Sequence, residues 1–155
     1  MRWPGKIPAG RTCAEIAGTI DLLPTIAKLA DTPLPQNKID GLDISELMLG
    51  KPNAKTPHKV FYHYDGGNRL AALRSGKWKL MFPQSYNSPK PGADGLPGKG
   101  RRQQLELSLF DLEADIGETA NLADKYPQVV ARLRKLADEM RKELGDGKQN
   151  VGTGR

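Results

Sequence analysis

The sequence holds a single cysteine, Cys13, in 155 residues, which excludes an internal disulfide framework and any zinc site of several cysteines. Valine is nearly as scarce, with four residues, and aromatic residues amount to 6%. So few β-branched and aromatic side chains leave material for only a small sheet. No run approaches the roughly 20 apolar residues of a membrane span, and the N-terminus lacks the apolar stretch of a signal peptide. The glycines at 92, 95, 98 and 100 do not follow a strand in the right pattern and no GK[ST] occurs, so no phosphate-binding Gly loop is present. Leu, Ile, Val and Phe make up about 21% of the chain, just above the level at which disorder becomes the better expectation. The core is therefore thin. Gly and Pro together make up about 19%, so much of the chain is turn and loop.

What is present in excess is positive charge, +6 at neutral pH. Half of it is local: between Pro83 and Gln104 stand Lys90, Lys99, Arg101 and Arg102 against Asp94 alone. A duplex footprint needs charge spread over many phosphates, so the local surplus suits a single anionic group, or a solvated loop, at least as well. A small basic module for an anionic polymer, sulfated glycan or nucleic acid, is the alternative function class this loop suggests.

Residues 1–12 are punctuated by Pro4, Gly5, Pro8 and Gly10, which limits helix to a turn; the segment reads as leaving an element, so the chain looks as if it begins in the middle of something. From Asp21 the pattern changes. Leu22, Leu23, Ile26, Leu29 and Ala30 recur at helical spacing, Asp21 suits an N-cap, and Pro24 falls in the first turn, predicting a helix over 21–30 with that face buried. Residues 31–59 form a long connector with Pro33, Pro35, Pro52 and Pro57, interrupted by a helical turn over 44–49 that Gly50 ends. Asp40 and Asp43 are too few oxygens for a calcium site and read as a turn leading into that helical turn.

The block 60–82 reads as an antiparallel meander. Strands at 60–64, 70–74 and 78–82 are separated by the turns DGGN (Asp65 to Asn68) and SGK (Ser75 to Lys77), with Trp78, Leu80 and Phe82 on one face. A fourth strand is expected over 105–112. Pro127 opens the clearest element, a helix whose stripe Val129, Leu133, Leu136, Met140 and Leu144 packs on the sheet and which Gly145 ends. The fold class is α+β: a small four-stranded antiparallel sheet packed against a C-terminal helix. The divisions are 1–59, 60–145 and a tail, 146–155, with one apolar residue, expected to be disordered.

Few side chains suggest chemistry. Cys13, in RTCAEIAG, has no histidine near it in sequence and reads as a buried small hydrophobe rather than a catalytic thiol. His58, between Pro57 and Lys59, reads as a solvated loop residue. His63, between Tyr62 and Tyr64 at a sheet edge, reads as structural, with a ligand hydrogen bond as the alternative.

The ordered series RWPGKIPAG (Arg2 to Gly10), TIDLLPTIAKLA (Thr19 to Ala30), IDGLDISELMLG (Ile39 to Gly50), LAALRSGKWKLMF (Leu70 to Phe82) and LFDLEADIGETANLADKYPQVVARL (Leu109 to Leu133) resembles the C-terminal third of a sulfatase of the arylsulfatase type, in the alkaline-phosphatase-like superfamily. The resemblance implies a large α/β domain followed by a smaller sheet-plus-helix domain, so that residues 1–59 are the edge of the large domain plus a connector and 60–145 the smaller one. It also implies hydrolysis of sulfate esters by a formylglycine made from the cysteine of a C-x-P-S-R signature, with a calcium ion and cationic side chains on the sulfate. Cys13 is followed by Ala14, Glu15 and Ile16 and does not fit that signature. No cofactor is therefore expected in this chain, which is expected to be inactive alone. Its expected partners are an N-terminal sulfatase domain and an aryl sulfate or sulfated sugar, with neither nucleic acid nor membrane. Members of the family are expected to be periplasmic or secreted. The resemblance further implies that the stretch 83–88, PQSYNS, turns toward the active-site mouth. The candidate substrate contacts are accordingly Gln84, Ser85, Tyr86, Lys99, Arg101 and Arg102. Gln84 stands where many relatives carry a histidine.

Overall fold

The computed structural model describes residues 1–88, 98 and 100–147. The chain divides into two units, Met1–Lys59 and a second that starts at Val60.

In the second unit, alternating apolar residues produce the expected sheet. Strands β1 (Phe61–Tyr64), β2 (Leu70–Ser75), β3 (Trp78–Met81) and β6 (Ser108–Asp111) pair antiparallel in the order β1-β2-β3-β6. The first turn is tied by Asp65, whose Oδ1 accepts the N–H groups of Gly67 and Arg69 while the Arg69 guanidinium closes on Oδ2 at 2.6 Å. The β2–β3 turn places Gly76 at φ +59°, a conformation that costs glycine nothing. The register aligns Tyr62, Leu73, Leu80 and Leu109 in one row on the face that meets α3 (Pro127–Leu144). Leu70, Leu73, Leu80 and Leu109 join Val130, Leu133 and Ala137 of α3 in the core. The seam of α3 thus runs along Val130, Leu133 and Ala137, while Val129 and Leu136 of the expected stripe pack at its margin.

Pro127 occupies the first turn of α3, where its missing N–H leaves no bond unmade, and Gly145 ends the helix at φ +85°. The carbonyls of that end find partners in the sheet. Tyr64 donates its hydroxyl to the Gly145 carbonyl (3.1 Å), and Asp146 accepts both the Leu70 N–H (3.0 Å) and the Arg141 Nε–H (2.5 Å). The Arg141 guanidinium also lies 4.3 Å from the Phe82 ring centroid. Asp146 and Gly147 are therefore hydrogen-bonded, Gly147 through its N–H to Asn68; the rest of the expected tail, 148–155, lies outside the described residues.

The fourth strand expected over 105–112 is β6, shorter than expected, and Leu105 instead ends an additional strand. Residues Arg101–Leu105 form β5, which pairs with β4 (Gln84–Ser88) in a separate two-stranded ribbon, so the chain must leave one ladder at Leu105 before joining the other at Ser108.

The first unit holds a 3₁₀ turn (Thr19–Asp21), α1 (Leu22–Leu29) and α2 (Ser45–Met48). Its helix is inside out relative to the expected face: Leu23, Ile26 and Leu29 are 52%, 59% and 40% exposed, whereas Asp21, Pro24, Thr25 and Ala27 are buried. Asp21 does not cap α1 with its side chain. Its carboxylate accepts the N–H groups of Gly18 (2.8 Å) and Leu42 (2.9 Å) instead, and Thr25 Oγ1 accepts the Ile44 N–H at 2.9 Å. Gly41 passes so close to this turn that an added Cβ would lie 1.9 Å from the Ile20 carbonyl oxygen. Asp43 forms the expected turn, accepting the Ser45 N–H, and also pairs with Lys28 at 2.5 Å.

Candidate functional site

The polar strands β4 and β5 carry five of the six candidate contacts. Lys99 lies outside the described residues, as do Lys90 and Asp94 of the same basic segment. The β4–β5 register pairs Gln84 with Leu105, Ser85 with Gln104, Tyr86 with Gln103, Asn87 with Arg102 and Ser88 with Arg101. Side chains alternate along a strand. Tyr86, Gln103, Arg101 and Gln84 therefore share one face of the ribbon, and Ser85, Asn87, Gln104 and Arg102 the other. Two bonds mark the faces: Tyr86 Oη donates to Gln103 Oε1 at 2.8 Å, and Arg102 Nη2 donates to Ser85 Oγ at 2.8 Å.

The arrangement separates the two arginines. Arg101 and Arg102 cannot close on one anion from the same side, so each face offers one guanidinium with neutral hydrogen-bonding neighbours. The Tyr86 ring, 46% exposed, is anchored by its hydroxyl and presents a flat apolar surface beside Arg101. Gln103 and Asn87 complete these faces, and sequence reasoning missed both. The signal was available in principle, because pairing Gln84 with Leu105 fixes every later pair.

The other sequence candidates lie elsewhere. His58 is not solvated: its side chain is 7% exposed and its Nε2 lies 2.7 Å from Asp21 Oδ1, which is fully buried. Burial pushes the Asp21 pKa up, but the hydrogen bonds from Leu42, Gly18 and His58 outweigh it and hold the carboxyl below its usual range. The pair is a structural centre of the first unit, and its 37-residue separation hides it from any local reading. Cys13 is exposed rather than buried. It lines an open cleft of about 920 Å³ with Trp3, Ile7, Arg11, Leu47 and Met48, and the openness of the cleft leaves the thiol uncovered. His63 is exposed on β1, its ring 5.2 Å from that of Phe61.

The described carboxylates do not fit a metal ion. Among the described residues no three His, Cys, Asp or Glu side chains converge on one point. The oxygens of Asp43 are engaged by Lys28 and Ser45, and those of Asp21 by two backbone N–H groups and His58. Among the described residues no helix is long and apolar enough to cross a membrane.

Comparison with known proteins places the chain in a family. Residues 56–155 match the family described as the C-terminal region of aryl-sulfatase. The chain is 37% identical over 147 residues to human arylsulfatase A, a match covering 86% of this chain and 28% of that protein. A Bacteroides thetaiotaomicron structure from work on the metabolism of multiple glycosaminoglycans superimposes with a TM-score of 0.56 at 27% identity, covering 78% of this chain and 24% of that one. Another structure, solved in complex with its substrate D-glucosamine-2-N,6-O-disulfate, shares the fold with a TM-score of 0.56 at 20% identity over 91% of this chain and 27% of that one. The chain spans less than a third of the length of these relatives. With its four-stranded antiparallel sheet and C-terminal helix, it belongs to the sulfatase family, as an arylsulfatase-type C-terminal region.

Proposed function

We propose that this chain supplies the C-terminal part of a sulfuric ester hydrolase acting on an aryl sulfate or a sulfated sugar, and that the catalytic cysteine, the calcium ligands and the bulk of the sulfate pocket belong to an N-terminal domain packed against it. The observation that carries this reading is the stripe Ile20, Leu23, Ile26 and Leu29, between 40% and 59% exposed. A helix that turns its apolar side outward and its aspartate and threonine inward is made to be covered by another body. Because the described residues do not fit a calcium ion and Cys13 does not fit the modified signature, no chemical step is assigned to this chain.

What the chain contributes is substrate contact. The anchored Tyr86 ring offers a stacking surface to the non-reacting part of the substrate, Arg101 offers a cation beside it and Gln84 a polar contact on the same face, whereas Ser85 and Arg102 are turned to the other face. The disulfated glucosamine held by a structural relative supports a sugar sulfate as the ligand class.

The test joins this chain to the N-terminal three quarters of a complete relative. The chain alone, given calcium and a chromogenic aryl sulfate, is expected to show no turnover, and the fusion to restore it. In the fusion, Tyr86→Ala is expected to raise KM about tenfold with kcat within about twofold, the pattern of a lost binding contact. Turnover by the chain alone that disappears with Cys13→Ala would overturn the reading.

A further inference from the structure

The sheet face turned away from α3 carries a group of charges that none of the foregoing uses. The register sets Phe61, Arg74, Lys79 and Phe110 in one row across the four strands, with His63, Ala72, Met81 and Ser108 in the next row. Arg74 and Lys79 therefore stand directly opposite each other on neighbouring strands. Like charges in that relation destabilise a sheet. Both cations are half-buried. Lys79 Nζ lies 2.6 Å from Glu118 Oε1, while Arg74 Nε donates to the Gly76 carbonyl at 3.0 Å. One carboxylate thus faces two cations, which leaves a positive surplus on this part of the face.

His63 lies within reach of the same charges. Although the residue is exposed overall, partial desolvation of its ring, then Lys79, pushes its pKa below the usual imidazole value, Glu118 opposes that, and Arg74 adds to it. A neutral imidazole has one ring N–H to donate. Its ring is set against that of Phe61, with 5.2 Å between centroids, and the register places it one row from Arg74 and Lys79 on the same face.

We propose that Arg74, Lys79 and His63 form a binding site for a tetrahedral oxyanion of the sulfate class. The anion would sit between the two opposed cations, accept from the guanidinium N–H groups of Arg74 not turned to Gly76, take the Lys79 ammonium from Glu118, and receive the His63 N–H. It would remove the like-charge repulsion that the register builds in. The source is either inorganic sulfate or a sulfate ester on a sugar, since both present the same oxygens. The site lies on the four-stranded sheet and makes no use of the β4–β5 ribbon, so it stands or falls independently of the proposed reaction.

The chain contains two histidines, and only one is at this site. Titrating the full chain with sodium sulfate while following both imidazoles by NMR, against sodium chloride at matched ionic strength, reads the site directly. The midpoint of His63 is expected to rise by roughly half a unit or more at saturation. Arg74→Gln is expected to weaken sulfate binding about tenfold, and Glu118→Gln, which removes the competing carboxylate, to tighten it severalfold. A sulfated disaccharide binding more tightly than inorganic sulfate would assign the site to a glycan ester; equal affinity would assign it to the free ion. Equal His63 shifts in chloride and sulfate, or an undiminished sulfate shift in a folded Arg74→Gln variant, would overturn the proposal.

Discussion

In the second unit the large side chains with essentially no exposure are Leu70, Leu73, Leu80, Leu109 and Leu133, whereas in the first they are Thr25 and Asp21. One unit is held by apolar contact and the other by a carboxylate, a hydroxyl and the backbone N–H groups they satisfy. Apolar contact gives stability that grows with the area removed from water and tolerates small adjustments. A buried carboxylate stabilises only while each of its partners is in place, and loses more when one is removed than the pair contributed.

That contrast can be broken most severely at Leu133, the fully buried centre of the α3 seam. Leu133→Ala is expected to cost the second unit about 2–5 kcal/mol, seen as a lower denaturant midpoint in near-UV circular dichroism, because a cavity opens where sheet and helix meet. A cost near zero would mean that the leucine row does not hold this unit together. Next in size, Asp21→Asn is expected to cost the first unit about 1–3 kcal/mol. It should be read as faster hydrogen exchange at the Leu42 and Gly18 amides, with the Leu109 amide unchanged. A uniform change over both units would show that they do not unfold separately.

A smaller effect follows from pH. The folded pKa of Asp21 lies below its unfolded value, so its contribution is complete above the ordinary carboxylate range of about 4 and is lost as pH falls through the lowered value. Protection of the Leu42 amide is expected to hold from neutral pH to about 4 and to decline below it, and Asp21→Asn should remove that decline. The smallest effect is expected on the exposed stripe. Ile26→Ser should change the stability of the isolated chain by no more than about 0.5 kcal/mol while reducing its self-association in light scattering. A large loss of stability would mean that Ile26 is packed, contrary to its 59% exposure.

The sequence was most informative where one residue type decides the local geometry. Pro127 and Gly145 delimit α3, Asp65 ties the first turn, and the alternation through Trp78, Leu80 and Phe82 marks the face of β3. It was least informative where two distant segments meet. Nothing near His58 in the chain announces Asp21, and the ribbon strands Gln84–Ser88 and Arg101–Leu105 are too polar to show the alternation that identifies a strand. The α1 stripe failed for a third reason. Periodicity states that Leu23, Ile26 and Leu29 share a side, and leaves open whether this chain or another body covers it. At the candidate site, Tyr86 and the arginines could be named from the sequence, but only the register showed that Arg101 and Arg102 face opposite ways.

The bond between the Asp21 carboxylate and the Leu42 N–H also makes a ring of the chain between them. Once both ends are fastened, lengthening the segment costs only the extra entropy of closing a longer loop, about 0.6 kcal/mol for each doubling. The stretch from Pro33 to Lys38, away from the close approach at Gly41, is therefore where this unit can absorb insertions and deletions without disturbing the residues that hold it.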